Sequence, residues 1–104
     1  MIHVFASVRV KPECLAQALE CYREFVPAVL QYEAGCLQYV PTVDVDMGLP
    51  NQEINECLIV VAERWKTVQD FRNHLGMPHS AAFRAKMEPL LAAGITVRVA
   101  RSSL

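Results

Sequence analysis

Two histidines and one tryptophan lie close together in the second half of this chain, where Trp65, His74 and His79 follow one another within a short stretch. Imidazole is the side chain that titrates near neutral pH, so either histidine could accept a proton from an acidic hydroxyl group. An indole ring offers a flat surface on which an aromatic ligand can stack. The stretch therefore suggests acid–base chemistry on an aromatic compound. His74 and His79 are the candidate catalytic residues, and the sequence does not distinguish between them.

Each of these residues also has an explanation that needs no ligand. Trp65 could fill the core between a strand and a helix, and His74 could be a buried histidine bonded to a backbone carbonyl group. His79 could cap the helix that follows it. Glu63 and Arg64 point to opposite faces of a strand, and a salt bridge at the rim is the alternative to a ligand contact for the one that faces inward.

Further side chains could line a site of this kind, although core packing is the alternative for the aromatic ones. The candidate substrate-binding residues are Trp65, Ser7, Tyr39, Phe71, Phe83 and Glu63, with His3 and Phe5 as additional lining residues. Asp44 and Asp46 form a carboxylate pair without neighbouring histidines, so the sequence predicts no metal site.

Length and composition predict one domain over residues 1–104, because a chain of this size forms a single core. Hydrophobic residues make up 53% of the chain, more than so small a domain can bury by itself, which favours a symmetric homodimer. The net charge of −1 with no basic stripe argues against nucleic acid as a partner. No apolar run is long enough to span a membrane and no secretory signal opens the chain, so we expect a cytoplasmic protein.

The four cysteines do not form a recognisable disulfide or zinc pattern. Cys14 and Cys21 are about two turns apart on a predicted helix. Their Cα atoms would therefore lie about 10 Å apart, which is too far for a disulfide. Cys36 and Cys57 fall at opposite ends of a predicted hairpin, and no Cys-x-x-Cys motif occurs. All four are therefore interpreted as reduced thiols that pack as small hydrophobic side chains.

Hydrophobic periodicity predicts the order β-α-β-β-α-β, with the second helical region divided in two. The predicted elements are strands over 2–10, 36–45, 56–65 and 95–100, a helix from Pro12 to about 32, a short helix that Thr67 caps and Gly76 ends, and a helix from about Ser80 to Gly94. Gly35 is expected to end the first helix in a left-handed conformation, and Pro41 to mark a bulge or an edge strand.

This order is that of a ferredoxin-like α+β fold, in which helices cover one face of a four-stranded antiparallel sheet. The third strand is apolar on both faces, so its second face must also be covered. Pairing of two sheets face to face would produce a dimeric α+β barrel.

Several segments resemble the antibiotic biosynthesis monooxygenase family of small dimeric α+β barrels. Residues 33–39 (EAGCLQY) are similar to the helix-to-strand segment of that family. Glu63-Arg64-Trp65 resembles its E-x-W strand end, and His74, Pro78, His79 and Phe83 match its H-x3-PH-x3-F pattern. The resemblance implies a pocket between helices and sheet, and oxygenation of quinols or polycyclic phenols without metal or flavin.

Other members of the family degrade haem or process a small carbonyl signal, so the resemblance alone does not determine the reaction. Haem-degrading members carry an asparagine on the first strand, where this chain has Ser7, and their haem-ligating histidine lies farther along the chain than His74 and His79. Haem degradation is therefore disfavoured.

The leading prediction is a cofactor-independent monooxygenase for a small electron-rich aromatic compound or quinol, in which a histidine in an apolar pocket deprotonates the substrate. The absence of a glycine-rich phosphate loop agrees with a reaction that uses no nucleotide cofactor. One alternative is a dimeric stress-associated module that binds a small ligand without reaction. Another is an isomerase-like enzyme for a phosphorylated carbonyl compound, which would need Arg64, Arg72 or Arg84 in its pocket.

Overall fold

The computed structural model describes all 104 residues. Four strands and three helices follow one another as β1 (Ile2–Arg9), α1 (Leu15–Tyr32), β2 (Cys36–Val43), β3 (Leu58–Trp65), α2 (Val68–Leu75), α3 (Pro78–Met87) and β4 (Thr96–Arg101), with a 3-10 turn at Glu88–Leu90. The order of elements agrees with the prediction from the sequence.

The four strands form one antiparallel sheet in the order β2-β3-β1-β4. This confirms the ferredoxin-like α+β arrangement. β2 lies at an edge, as Pro41 predicts, because an edge strand tolerates a residue without an N–H donor. The irregularity in β2 occurs between Cys36 and Gln38 rather than at Pro41.

The helices pack on one face of the sheet, and strand alternation determines which side chains meet them. Val4, Ala6 and Val8 of β1 are buried on this face. The neighbouring β3 contributes Ile59, Val61, Glu63 and Trp65, which are buried as well. The helical layer supplies the inner face of α1, namely Ala18, Tyr22, Phe25 and Val29. Glu63 is thus the one acidic residue in a row of apolar side chains.

The second face of the sheet carries Phe5, which is 41% exposed, and Val40, which is 44% exposed. Both residues pair with Ala62, so the three side chains form an apolar row across the sheet. Leu58 and Val60 lie half-buried on the same face. Burial of this face by a second subunit stays a prediction.

Two helix bounds predicted from the sequence are wrong. The first helix begins at Leu15 instead of Pro12, because the N–H group of Cys14 bonds to the carbonyl oxygen of Lys11 and closes a turn. Pro12 occupies the second position of that turn, where proline is favoured. The final helical region ends well before Gly94, since α3 stops at Met87 and the 3-10 turn follows.

Gly35 is also not left-handed, since Gly48 is the only residue with positive φ. Its lack of a side chain is required for a different reason. A Cβ atom at position 35 would lie 2.3 Å from Cγ of Asp70. Asp70 belongs to the predicted cap of α2, where the Thr67 hydroxyl oxygen accepts from the Asp70 N–H at 3.1 Å. Thr67 Oγ1 also lies 2.8 Å from Asp70 Oδ2, where its hydroxyl donates.

We expect Gly35→Ala to lower the free energy of unfolding by about 1–2 kcal/mol, because the new methyl group displaces the capping Asp70 side chain. Urea unfolding measures the change. Gly94→Ala is the matched control, since a Cβ atom there meets nothing within 4 Å. Equal stability of the two variants would contradict the packing explanation.

Candidate active site

The centre of the candidate site is the carboxylate of Glu33, which binds both histidines named by the sequence. His74 Nδ1 lies 2.9 Å from Glu33 Oε2 and 3.0 Å from Oε1. His79 Nε2 lies 2.7 Å from Glu33 Oε2. Glu33 and His74 are each 6% exposed, so both groups are removed from bulk water. One carboxylate therefore holds two imidazole rings in place.

Three helix ends bring these side chains together. Glu33 is the residue directly after α1, and its N–H group bonds to the carbonyl oxygen of Val29. His74 lies in the last turn of α2, and His79 lies in the first turn of α3. Pro78 occupies the first position of α3, where its fixed φ angle and missing N–H suit a helix start. The break between α2 and α3 therefore turns both rings toward Glu33.

The carboxylate determines the tautomer of each ring, because an ionised carboxylate can only accept hydrogen bonds. His74 must carry its proton on Nδ1, which leaves Nε2 free to accept another proton. His79 must donate through Nε2, which leaves its Nδ1 free. The sequence left open that His74 is a core histidine bonded to a backbone carbonyl group, whereas its partner in the structure is the side chain of Glu33.

Burial lowers the pKa of His74 below its usual value of 6.5, and the hydrogen bond that His74 donates to Glu33 opposes this shift. The charges of His79 and Arg84 lower the pKa of His74 further. His74 is therefore neutral at pH 7 and able to accept a proton. Glu33 remains beside it to stabilise the imidazolium ion that would form.

A second polar pair lies on β3, where the indole N–H of Trp65 donates to Glu63 Oε1 at 2.9 Å. The two residues face the same side of the strand, because they are two positions apart. Trp65 is fully buried, and its ring lies 4.8 Å from the His74 ring and 5.9 Å from Phe71. Trp65 thus fills the core between strand and helix, which was its alternative interpretation, and also holds Glu63.

Burial raises the pKa of Glu63 from 4.5 to about 7. The Trp65 hydrogen bond acts in the opposite direction, and the charge of Glu33 adds to the increase. No lysine, arginine or histidine forms an ion pair with Glu63. A buried carboxyl group without a cationic partner favours its neutral form.

A cavity of about 250 Å³ lies between the sheet and the helices. Its inner wall consists of buried or half-buried side chains from every layer, namely Val4, Ala6, Val8, Tyr22, Phe25, Tyr39, Glu63, Phe71, His74, Ser80 and Phe83. Leu75, Arg84, Ile95 and Val97 line the exposed mouth. The mouth opens beside β4, because all residues of that strand are exposed and no helix covers it.

The size of this cavity suits one or two aromatic rings. It exceeds the roughly 150 Å³ that accommodates benzene, and it is smaller than the roughly 300–1,000 Å³ of pockets for drug-sized ligands. Phe25 and Phe83 stack with their ring centres 4.1 Å apart, and Tyr39 meets Phe25 edge-on at 5.8 Å. The wall is thus mainly aromatic, with a few polar atoms.

The structure brings together five of the predicted site residues at this cavity: His74, Tyr39, Phe71, Phe83 and Glu63. His79 instead lines a separate groove of about 220 Å³ between α1 and α3, together with Cys21 and Lys86. Trp65 lies behind the cavity wall. Ligand contact by any of these residues stays a prediction.

Ser7 does not reach the cavity. It lies on the opposite face of the sheet, because Val4, Ala6 and Val8 occupy the helix-facing positions of β1. His3 and Phe5 share the face of Ser7 for the same reason. His3 lies 2.8 Å from the Ser102 hydroxyl group there.

Several residues of the site were missed from the sequence, and three of them carry polar groups. Glu33 lay within the family-like segment 33–39 but was interpreted only as a helix end, and its histidine partners are distant in sequence. Tyr22 belongs to the apolar face of α1, where helical spacing suggested core packing. Ser80 appeared only as a helix start, yet its buried hydroxyl group has no hydrogen-bond partner.

The three arginines named for a phosphorylated ligand do not gather at the cavity. Arg64 lies on the other face of the sheet, where its Nε donates to Gln38 at 2.7 Å. Arg72 is exposed, and only Arg84 reaches the cavity. No cluster of arginines is available for a phosphate group. No three histidine, cysteine, aspartate or glutamate side chains are arranged to hold a metal ion.

Comparison with known proteins agrees with this fold. The sequence profile described as "Antibiotic biosynthesis monooxygenase" matches residues 1–86, and the chain belongs to that family. No curated protein matches the sequence significantly. Among the helices, none combines the length and apolar character needed to cross a membrane.

Solved structures of low sequence identity share the fold. A proposed antibiotic biosynthesis monooxygenase from Caulobacter crescentus has a TM-score of 0.84 and 21% identity, covering 99% of this chain and 90% of that one. Another from Nitrosomonas europaea has a TM-score of 0.85 and 16% identity, with both chains fully covered. A conserved protein from Methanosarcina mazei has a TM-score of 0.84 and 20% identity, covering 98% of this chain and 92% of that one.

The raised pKa of Glu63 predicts how stability depends on pH. The folded protein holds this proton up to about pH 7, whereas the unfolded chain releases it near 4.5, so wild type loses stability between these values. We expect Glu63→Gln to remove this loss. Chemical unfolding from pH 4 to pH 8 should show the free energy of unfolding of the variant rising relative to that of wild type, by on the order of 3 kcal/mol at pH 8. A difference in free energy of unfolding between the two proteins that is constant across pH would contradict the raised pKa of Glu63.

Proposed function

We propose that this protein is a cofactor-independent monooxygenase that oxidises a small electron-rich aromatic compound or quinol. The observation that supports this proposal most directly is the position of His74. Its ring lines an aromatic cavity, and Glu33 holds its Nδ1 so that Nε2 is free to accept a proton. Membership of the monooxygenase family supports the reaction class.

The first step is removal of the phenolic proton by His74 Nε2. The imidazolium ion that forms lies against Glu33, which stabilises its charge and fixes the ring orientation. The apolar wall from Phe25, Phe71 and Phe83 offers no hydrogen bonds to the phenolate oxygen, so this oxygen is less solvated there than in bulk water. His74 is therefore the proposed base, and His79 is a positioning residue that acts through Glu33.

A phenolate is a suitable reductant for molecular oxygen. Ground-state oxygen reacts slowly with closed-shell compounds because electron spin must change, whereas an electron-rich anion can transfer one electron at a time. A carbon–oxygen bond then forms on the ring, and the O–O bond breaks. For a hydroquinone, one oxygen atom gives a hydroxyquinone and the other leaves as water. The substrate supplies all four electrons, so the reaction needs no external reductant.

Binding of a small ligand without reaction is the second candidate. The cavity and its buried polar groups would serve such a module equally well, and the fold does not separate the two functions. The His74–Glu33 pair favours an enzyme, because a binding module needs no group that is set to accept a proton.

We further propose that the protein is a cytoplasmic homodimer. All four cysteines are free, which fits a reducing compartment. The apolar row formed by Val40, Ala62 and Phe5 would be covered if the sheet met that of a second copy. This arrangement would produce the dimeric barrel that the family resemblance implies.

Oxygen uptake with a panel of dihydroxybenzenes and dihydroxynaphthalenes tests the reaction. We expect His74→Gln to lower kcat by about 10²–10⁴-fold, because general-base catalysis is lost, and His79→Gln to have a smaller effect. Arg72→Gln is the control, since Arg72 is exposed and does not line the cavity.

Uptake equal to that of buffer for every compound would refute the oxygenase. Full activity of His74→Gln would refute the assignment of the base. Binding of the same compounds without uptake would favour the ligand-binding module.

Light scattering after size exclusion at low micromolar concentration tests the dimer. We expect a dimer for wild type and a monomer for Phe5→Lys, because a buried lysine without a partner strongly opposes association. Leu30→Lys is the control, since Leu30 is exposed on the helical layer. A monomeric wild type would contradict the proposal.

A further inference from the structure

We propose that Glu63 presents a neutral carboxyl group to the cavity and donates a hydrogen bond to an oxygen atom of the ligand. The cavity would then select aromatic compounds that carry a hydrogen-bond-accepting oxygen, such as a carbonyl group, in addition to an acidic hydroxyl group. This inference depends on the cavity being the ligand site of the proposed function, but it does not depend on oxygenation.

The geometry leaves one oxygen of Glu63 available. Oε1 accepts from the Trp65 indole at 2.9 Å, and this is the only protein hydrogen bond to the carboxyl group. Glu63 is 4% exposed and lines the cavity. Its Oε2 atom is not sealed off, because Ser80 Oγ is the only fully buried side-chain polar atom without a partner. The cavity is therefore the place where Oε2 can find a partner.

The surroundings of Glu63 oppose a negative charge. The neighbouring elements contribute groups that are neutral or negative, apart from Arg84, which forms no ion pair with Glu63. These groups are the Tyr22 and Tyr39 phenols, the Cys36 thiol, the Glu33 carboxylate, the neutral His74 ring and Arg84 at the exposed mouth. Burial also raises the pKa values of Tyr22 and Tyr39, and the charge of Glu63 would add to that increase. Ionisation of Glu63 thus has a cost that only the indole N–H offsets.

His74 and Glu63 have complementary roles under this assignment. His74 Nε2 accepts a proton, whereas the acid form of Glu63 supplies one. A hydroquinone or a hydroxylated aromatic ketone carries one oxygen for each role. A ligand without the second oxygen would leave the buried Glu63 carboxyl group unpaired, which is the kind of loss that makes a polar site selective.

Trp65 is the single tryptophan of the chain, so its fluorescence reports directly on the group that it bonds. We expect a fluorescence transition near pH 7 in wild type that persists in His74→Gln and disappears in Glu63→Gln. A transition that disappears in His74→Gln and persists in Glu63→Gln would overturn the inference, as would a wild type without any transition. If a variant does not fold, carbon-13 NMR of the Glu63 carboxyl group in wild type measures its titration directly. We expect that titration near pH 7, and a titration near the usual glutamate value would overturn the inference.

Binding of 1-indanone and indane tests the ligand side, because these stable bicyclic compounds share a skeleton and differ in the carbonyl oxygen. Ligand-observed NMR would measure both dissociation constants at pH 6 and pH 9. In wild type we expect 1-indanone to bind at least about tenfold more weakly at pH 9, since loss of the donor proton costs up to about tenfold per pH unit above the transition. Indane should be insensitive to pH.

Glu63→Gln is the matched variant, because its amide group remains a donor at both pH values. Its affinity for 1-indanone should therefore be independent of pH. An affinity of wild type that is flat or rises with pH, or an absence of 1-indanone binding at both values, would overturn the inference. Binding with the expected pH dependence but no oxygen uptake would refute only the proposed reaction.

Discussion

The buried carboxylate of Glu33 is the interaction on which the arrangement of this site depends. It joins the end of α1 to the last turn of α2 and the first turn of α3 through two imidazole rings. A charge that is removed from water requires partners, and these hydrogen bonds supply them. The same bonds determine the orientation of both rings. The same carboxylate therefore connects the three helix ends and orients the ring of His74, the proposed proton acceptor.

Burial shifts the pKa values of two titratable groups of the cavity in opposite directions, and both shifts favour the uncharged form. It lowers the pKa of His74, which makes the base neutral, and it raises the pKa of Glu63, which makes the acid neutral. The hydrogen bond that His74 donates to Glu33 and the one that Glu63 accepts from Trp65 oppose these shifts without reversing them. The cavity is thereby supplied with a proton acceptor and a proton donor near pH 7, while its walls remain apolar. This combination suits a substrate that must lose one proton and keep another oxygen bound.

The fold was predictable to the level of element order because its signals are local. Period-two alternation in β1 and helical spacing in α1 each reflect one face packed on a common core. The errors concern residues whose role depends on distant neighbours. Gly35 suggested a left-handed helix end, yet its missing side chain makes room for Asp70 of α2. Pro12 suggested a helix start, yet it occupies a turn closed by Lys11 and Cys14.

The sequence by itself determined the residue types of the site, the strand that carries Glu63 and Trp65, and the helical break between His74 and His79. These features follow from short-range periodicity and from the backbone limits of proline. Only the tertiary structure decided that Glu33 binds both rings, that His74 faces the cavity while His79 faces an outer groove, and that Ser7 lies on the opposite face. The reason is that burial and hydrogen bonding between distant segments arise only when α1, α2, α3 and the sheet pack together.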